Sequence, residues 1–203
     1  MTLNPEFQSL CKRWREKAQQ YEIEDTHQLF DKFFSLYVAY NALYAETAAY
    51  LHRKAISEGK KEYKLDNESF PDKQAAIEYV LGLMKSKNLM QSLEKTESTK
   101  QAIEQLKVLM SKQSSLHFWI CLDPVFGKPQ EDKDEELNKM LNSPSTDERA
   151  RAILGIIYQV RCNMFHGRKS VSPVQGQLLI PLIVLLEKII DKLYQKLESA
   201  IDY

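Results

Sequence analysis

Tyr158-Gln159-Val160-Arg161-Cys162-Asn163-Met164-Phe165-His166-Gly167-Arg168-Lys169 sets an arginine and a histidine five residues apart, with an asparagine between them and two basic residues just after. Upstream, Ala152, Ile153, Ile156, Ile157, Val160, Met164 and Phe165 recur at spacings of three and four, the period of an amphipathic helix. Ser145 and Thr146 are N-cap residue types, and Ser145 with Glu148 makes a capping-box pattern that fixes the start. Gly167 can take the left-handed conformation that closes a helix, so the spacing predicts a helix end there with His166 in the last turn. Arginine plus histidine without carboxylates is equipment for metal-free phosphodiester cleavage. The imidazole moves protons near neutral pH and the guanidinium fork neutralises charge on non-bridging oxygens.

Working outward, the rest of the chain reads as helices. Asn4-Pro5 is an N-cap and first-turn signal, and Phe7, Leu10, Cys11, Trp14, Ala18 and Tyr21 then form one stripe. Asp25 or Thr26 caps a longer helix to about Ile56, with Phe30, Phe34, Tyr37, Asn41 and Tyr44 on one face. Pro71 opens a helix through Ala75, Ile77, Val80, Leu81 and Met84, and Ser98 with Gln101 caps another through Ile103, Leu106 and Met110. Gly127 to Asp134 reads as a polar loop, with a short helix from Glu135 to Leu141. Ser172 and Pro173 cap a last helix to about Ser199, kinked near Pro181. The expectation is one all-α domain with core helices at about 5–56 and 146–199 and a helical insertion at about 59–145.

At 203 residues, 43% of them apolar and 28% charged, the chain is long enough for one sizeable core. Its formal net charge is zero, which excludes a protein that coats nucleic acid through bulk charge. Contact with RNA would have to come from a local cluster, and Arg161, Arg168 and Lys169 form the leading one, with Arg149 and Arg151 as additions one helix earlier. Three scattered cysteines, Cys11, Cys121 and Cys162, fit reduced thiols and a cytoplasmic setting better than a disulfide framework. The most apolar run, Leu178 to Leu186, is far shorter than the roughly 20 residues of a membrane span.

At 100° per residue, Arg161 and His166 point about 140° apart, so one helix aims the pair poorly at one phosphate. Two copies related by a two-fold axis bring two arginines and two histidines into one cleft, which makes a composite dimer site the economical geometry. A zinc reading stays open beside it. Cys162 and His166 stand four apart, as do His117 and Cys121, and the two pairs make a Cys2His2 set if the segments meet. The nuclease chemistry itself needs neither metal nor cofactor.

The segment from Arg161 to Gly167 resembles the signature of the HEPN superfamily, the higher eukaryote and prokaryote nucleotide-binding fold, many of whose members are ribonucleases with an Arg-x4-6-His motif. The stretch Phe30-Asp31-Lys32-Phe33-Phe34-Ser35-Leu36-Tyr37-Val38-Ala39-Tyr40-Asn41-Ala42-Leu43-Tyr44 is similar to an aromatic helix found early in one HEPN subgroup. The resemblance implies a helical bundle that forms a homodimer through the motif helix. In active members it implies metal-independent endoribonuclease activity, often as toxins restrained by an antitoxin or in defence against phage. Carried over residue by residue, it makes Arg161 and His166 catalytic, assisted by Asn163, with Asn41 facing the motif helix, while Arg168 and Lys169 are expected to hold RNA as members of the local basic cluster. Cys162 stands where the family usually carries Asn, Asp or His, with Asn163 one place later. The alternative that the resemblance leaves open is a non-catalytic module that binds nucleotide, RNA or a protein partner.

Overall fold

The computed structural model describes residues 3–22, 25–60, 63, 70–113, 118–123, 125–165, 167 and 172–201. The first two helices start where their caps predict. Asn4 Oδ1 accepts the Glu6 N–H at 2.9 Å ahead of α1 (Pro5–Gln19). Asp25 Oδ1 accepts the N–H groups of His27 and Gln28 at 2.7 and 3.2 Å ahead of α2 (Thr26–Ser57). At 1.5 Å per residue, the 32 residues of α2 span about 48 Å, long enough for several elements to pack along it.

The region between the long helices is helical, and its details depart from the sequence pattern in three places. After Pro71 the chain forms α3 (Asp72–Gln74), a π-helical turn at Ala75–Tyr79 and α4 (Val80–Met84) in succession. It then breaks at Lys85, whose φ of +67° is rare for a residue with a Cβ, and restarts as α5 (Ser86–Leu93), a helix the periodicity does not predict. Next, α6 (Glu97–Met110) begins with Thr96 at its N-cap and not with Ser98. Thr99 is why: its hydroxyl, buried in the turn between the helices, bonds the carbonyls of Leu93 and, at 3.1 Å, Thr96. Finally, α7 (Glu131–Leu141) takes in the acidic run that reads as loop. Glu131, Asp132 and Asp134 occupy its first turn, where negative charge complements the helix dipole.

The motif helix α8 (Thr146–Phe165) starts where the Ser145 Oγ accepts the Glu148 N–H at 3.4 Å, and α9 (Pro173–Ile201) runs on through Pro181. Among the described residues the protein is all helical, apart from a single antiparallel bridge between Leu122 and Pro129. One continuous core joins Phe33, Tyr37, Tyr40 and Tyr44 of α2 to Ile153, Ile156 and Ile157 of α8 and to Leu182, Ile189 and Leu193 of α9. Burying phenols demands partners for their hydroxyls. Tyr40 finds one in the carbonyl of Ala76, in the π-helical turn, at 2.5 Å. No helix among the described residues is long and apolar enough to cross a membrane.

Candidate functional site

Arg161 sits near the C-terminal end of α8, where the helix closes at Gly167. Gly167 has φ +62° and its N–H bonds the Met164 carbonyl at 3.1 Å, the left-handed ending that the sequence predicts. The Arg161 side chain is 19% exposed and lies in an aromatic cage. Its guanidinium carbon is 4.5 Å from the centre of the Phe165 ring, 5.2 Å from Tyr37 and 6.0 Å from Tyr158. Arginine suits such a cage because its planar, weakly hydrated cation can lie against ring faces and still present donors at its edge.

The donors are only lightly used. Nη1 reaches Asp72 Oδ2 at 3.5 Å and the Cys162 Sγ at 3.8 Å, both long, while the buried Nε–H meets no acceptor among the described residues. Burial works against the charged guanidinium, but Cys162, Tyr37 and Asp72 together outweigh it and hold its pKa above the ordinary arginine value. Asp72 is the hub of the cluster. Its Oδ1 accepts the Tyr44 hydroxyl at 2.5 Å and its Oδ2 accepts the Tyr158 hydroxyl at 3.2 Å. Burial raises the pKa of Tyr37, Tyr44 and Tyr158, with further upward pushes on Tyr44 from Tyr37 and Asp72 and on Tyr158 from Cys162 and Asp72. At neutral pH these phenols are therefore un-ionised, and Tyr44 and Tyr158 donate to Asp72. The Tyr37 hydroxyl, fully buried, bonds to no described residue.

Asn163 points elsewhere. It is buried, donates to the Ile120 carbonyl at 2.8 Å and accepts from Gln159 at 3.3 Å. The same Ile120, with Cys121, donates its N–H to the buried carboxylate of Asp134 in α7, at 3.1 and 2.8 Å. Asn163 thus ties the motif helix to the segment before α7, a structural duty on the side of α8 away from Arg161. Asn41 is half-buried on the face of α2 that carries Phe34, Tyr37 and Tyr44, one turn from each tyrosine, at the margin of the cage. His166, Arg168 and Lys169 lie outside the described residues, as does His117 of the zinc alternative. Among the described residues no three His, Cys, Asp or Glu side chains gather as metal ligands.

Arg149 and Arg151 do not join the site. They stand at the opposite end of α8, where Arg149 bonds Glu94 at 2.5 Å and Arg151 bonds Glu78 and, at 2.6 Å, Asp147. Asp72 and Tyr158 are the site residues that sequence reasoning missed. Tyr158 had a visible signal, one turn before Arg161 on the same helix, whereas Asp72 lies 89 residues away with no local pattern to mark it. Comparison of the chain with protein-family models, with curated proteins and with solved structures gives no match.

Proposed function

We propose that the chain is a HEPN-like, metal-independent endoribonuclease acting as a homodimer through the end of the motif helix. Arg161 would hold the scissile phosphate, and His166 would take the proton from a ribose 2′-hydroxyl as its oxygen attacks phosphorus. The bond from phosphorus to the 5′-oxygen breaks, and His166 of the partner subunit, protonated, returns a proton to that oxygen. The products are a 2′,3′-cyclic phosphate and a 5′-hydroxyl, and DNA, lacking the nucleophile, resists. The observation that carries the reading is the state of Arg161: a guanidinium caged by aromatic rings at a helix end, with its Nε–H unpartnered and only one long carboxylate contact. Such a group is ready for an anion, and the sequence sets a histidine within five residues of it.

A second reading, a binding module without turnover, is favoured by the same Asp72 contact, since a carboxylate on the arginine already supplies negative charge. Incubating wild type, His166→Ala and Arg161→Ala with labelled single-stranded RNA in excess EDTA separates the two. Cleavage to cyclic-phosphate ends that both substitutions abolish is the expected result. Binding without cleavage would leave the module, and equal cleavage by wild type and His166→Ala would overturn the catalytic assignment.

A further inference from the structure

Running outward from the arginine cage and sharing its Phe165, three aromatic side chains from three different helices form one continuous row. Phe165 of α8 stacks on Phe34 of α2 with ring centres 5.1 Å apart and planes 19° apart. Trp14 of α1 meets Phe34 edge to face at 6.5 Å. Its two phenylalanines are open to solvent, Phe165 49% exposed and Phe34 39%, while Trp14 is half-buried against the core. A cation stands at each end, Arg161 at 4.5 Å over Phe165 and Lys17 Nζ at 4.9 Å over Trp14. Lys17 pairs with no carboxylate among the described residues, and exposed Arg13 lies one turn before it on α1.

We infer that this row is a stacking platform for the bases of a single-stranded RNA whose backbone runs between Lys17 and Arg161. The inference rests on the nuclease reading for its choice of RNA as occupant. Stacking accepts any base, because each has a π-face, and cations at the ends of the row meet the phosphates between stacked bases. Asp31, three residues before Phe34 and exposed, puts a carboxylate on one flank, so the phosphates keep to the Lys17 and Arg161 ends. A second copy of the chain is the competing occupant, because exposed aromatics also suit protein interfaces. Lysine, however, is depleted from such interfaces, and here one sits directly on the terminal ring. A duplex does not fit either, since its bases are already stacked within the helix.

The test is fluorescence anisotropy in excess EDTA with a labelled oligoadenylate, an abasic strand of the same length and the corresponding duplex. The proteins compared are wild type, Trp14→Leu, Phe34→Leu and Phe34→Tyr, each checked for folding by its melting temperature. Leucine keeps the apolar bulk and removes the π-face, so each leucine variant is expected to bind oligoadenylate roughly ten-fold more weakly, while Phe34→Tyr binds like wild type. The abasic strand is expected to bind weakly to all four proteins. Leucine variants that fold and bind like wild type would overturn the platform, as would an abasic strand that binds as well as oligoadenylate. Sedimentation showing that either leucine substitution dissociates a dimer would overturn it too, by making the row a self-interface. Stacking-dependent binding without cleavage would defeat the nuclease reading and leave the platform standing. Cleavage with stacking-independent binding would do the reverse.

Discussion

The two ends of α8 carry arginines whose carboxylates lie at different distances and whose surroundings differ. At the N-terminal end Arg149 and Arg151 hold close carboxylates, Glu94 at 2.5 Å for one and Glu78 and Asp147 for the other, which staple the helix to the end of α5 and the π-helical turn. The Arg149 Nε–H, like that of Arg161, is nonetheless buried without an acceptor among the described residues. At the C-terminal end Arg161 has one carboxylate at 3.5 Å, a buried Nε–H with no acceptor and three aromatic rings around it. A polar donor left unmet in a folded protein is unusual enough to ask for a reason. The contrast within one helix teaches that close ion pairs hold elements together, while an arginine with one long carboxylate contact and three aromatic rings around it keeps its charge available.

The sharpest way to break that contrast is to substitute both kinds of arginine and compare. Under the nuclease reading, Arg161→Ala is expected to lower the rate of RNA cleavage by at least about a hundred-fold, the scale of deleting one donor to a developing negative charge. Arg161→Lys, which keeps the charge and loses the fork, is expected to recover only part of it. Arg151→Ala should leave cleavage unchanged and reduce stability by no more than about 1 kcal/mol, since its ion pairs are partly solvated. Single-turnover cleavage and urea melts on the same preparations read both effects. Equal losses of activity from Arg161→Ala and Arg151→Ala would erase the distinction between the two ends.

Next in size is the effect of the polar relay that fixes the open end of α8 without touching Arg161. Asp134→Ala leaves the backbone N–H groups of Ile120 and Cys121 without their charged acceptor inside the protein, and is expected to destabilise by about 3 kcal/mol. Asn163→Ala removes the donor to the Ile120 carbonyl and is expected to cost about half of that. Because both act on the same peptide unit, the double variant should fall short of the sum. Urea melts with unchanged slope measure all three. If Asn163→Ala abolished cleavage while the melt stayed as in wild type, Asn163 would have to be returned to the chemistry.

How much of this was legible follows from distance along the chain. Helix faces and caps are local, so Asn4 with Pro5, Asp25, Ser145 with Glu148 and Gly167 all mark real boundaries. The aromatic face of α2 was legible for the same reason, with Tyr37 and Tyr44 inside and Asn41 at its margin. What hid were features made by distant pairing. Glu131 to Asp134 reads as solvated loop because nothing nearby shows that Asp134 will be buried under two backbone N–H groups. α5 hid because it is short and follows a break at Lys85, a residue that carries no left-handed signal. Most consequential, the sequence offers Arg161 without a carboxylate, and the fold supplies one from α3.

That carboxylate gives the smallest effect and the most instructive one. If Arg161 is kept available for an anion, Asp72 competes with the phosphate for the same Nη1, and Asp72→Asn removes the competitor's charge in nearly the same volume. The pair is long and both side chains are partly exposed, at 19% and 35%, so the charge term is about 1 kcal/mol and RNA binding should tighten roughly five-fold. Screening makes the gain shrink as salt rises, which an anisotropy titration at two ionic strengths reads directly. Tyr44 and Tyr158 each donate to one carboxylate oxygen, so the asparagine amide can accept from only one of them and the melting temperature should fall slightly. Weaker RNA binding in Asp72→Asn would mean the opposite arrangement, a carboxylate that positions the guanidinium for its ligand instead of competing with it. In that case the C-terminal end of α8 would be, like its N-terminal end, an arginine held by an acid.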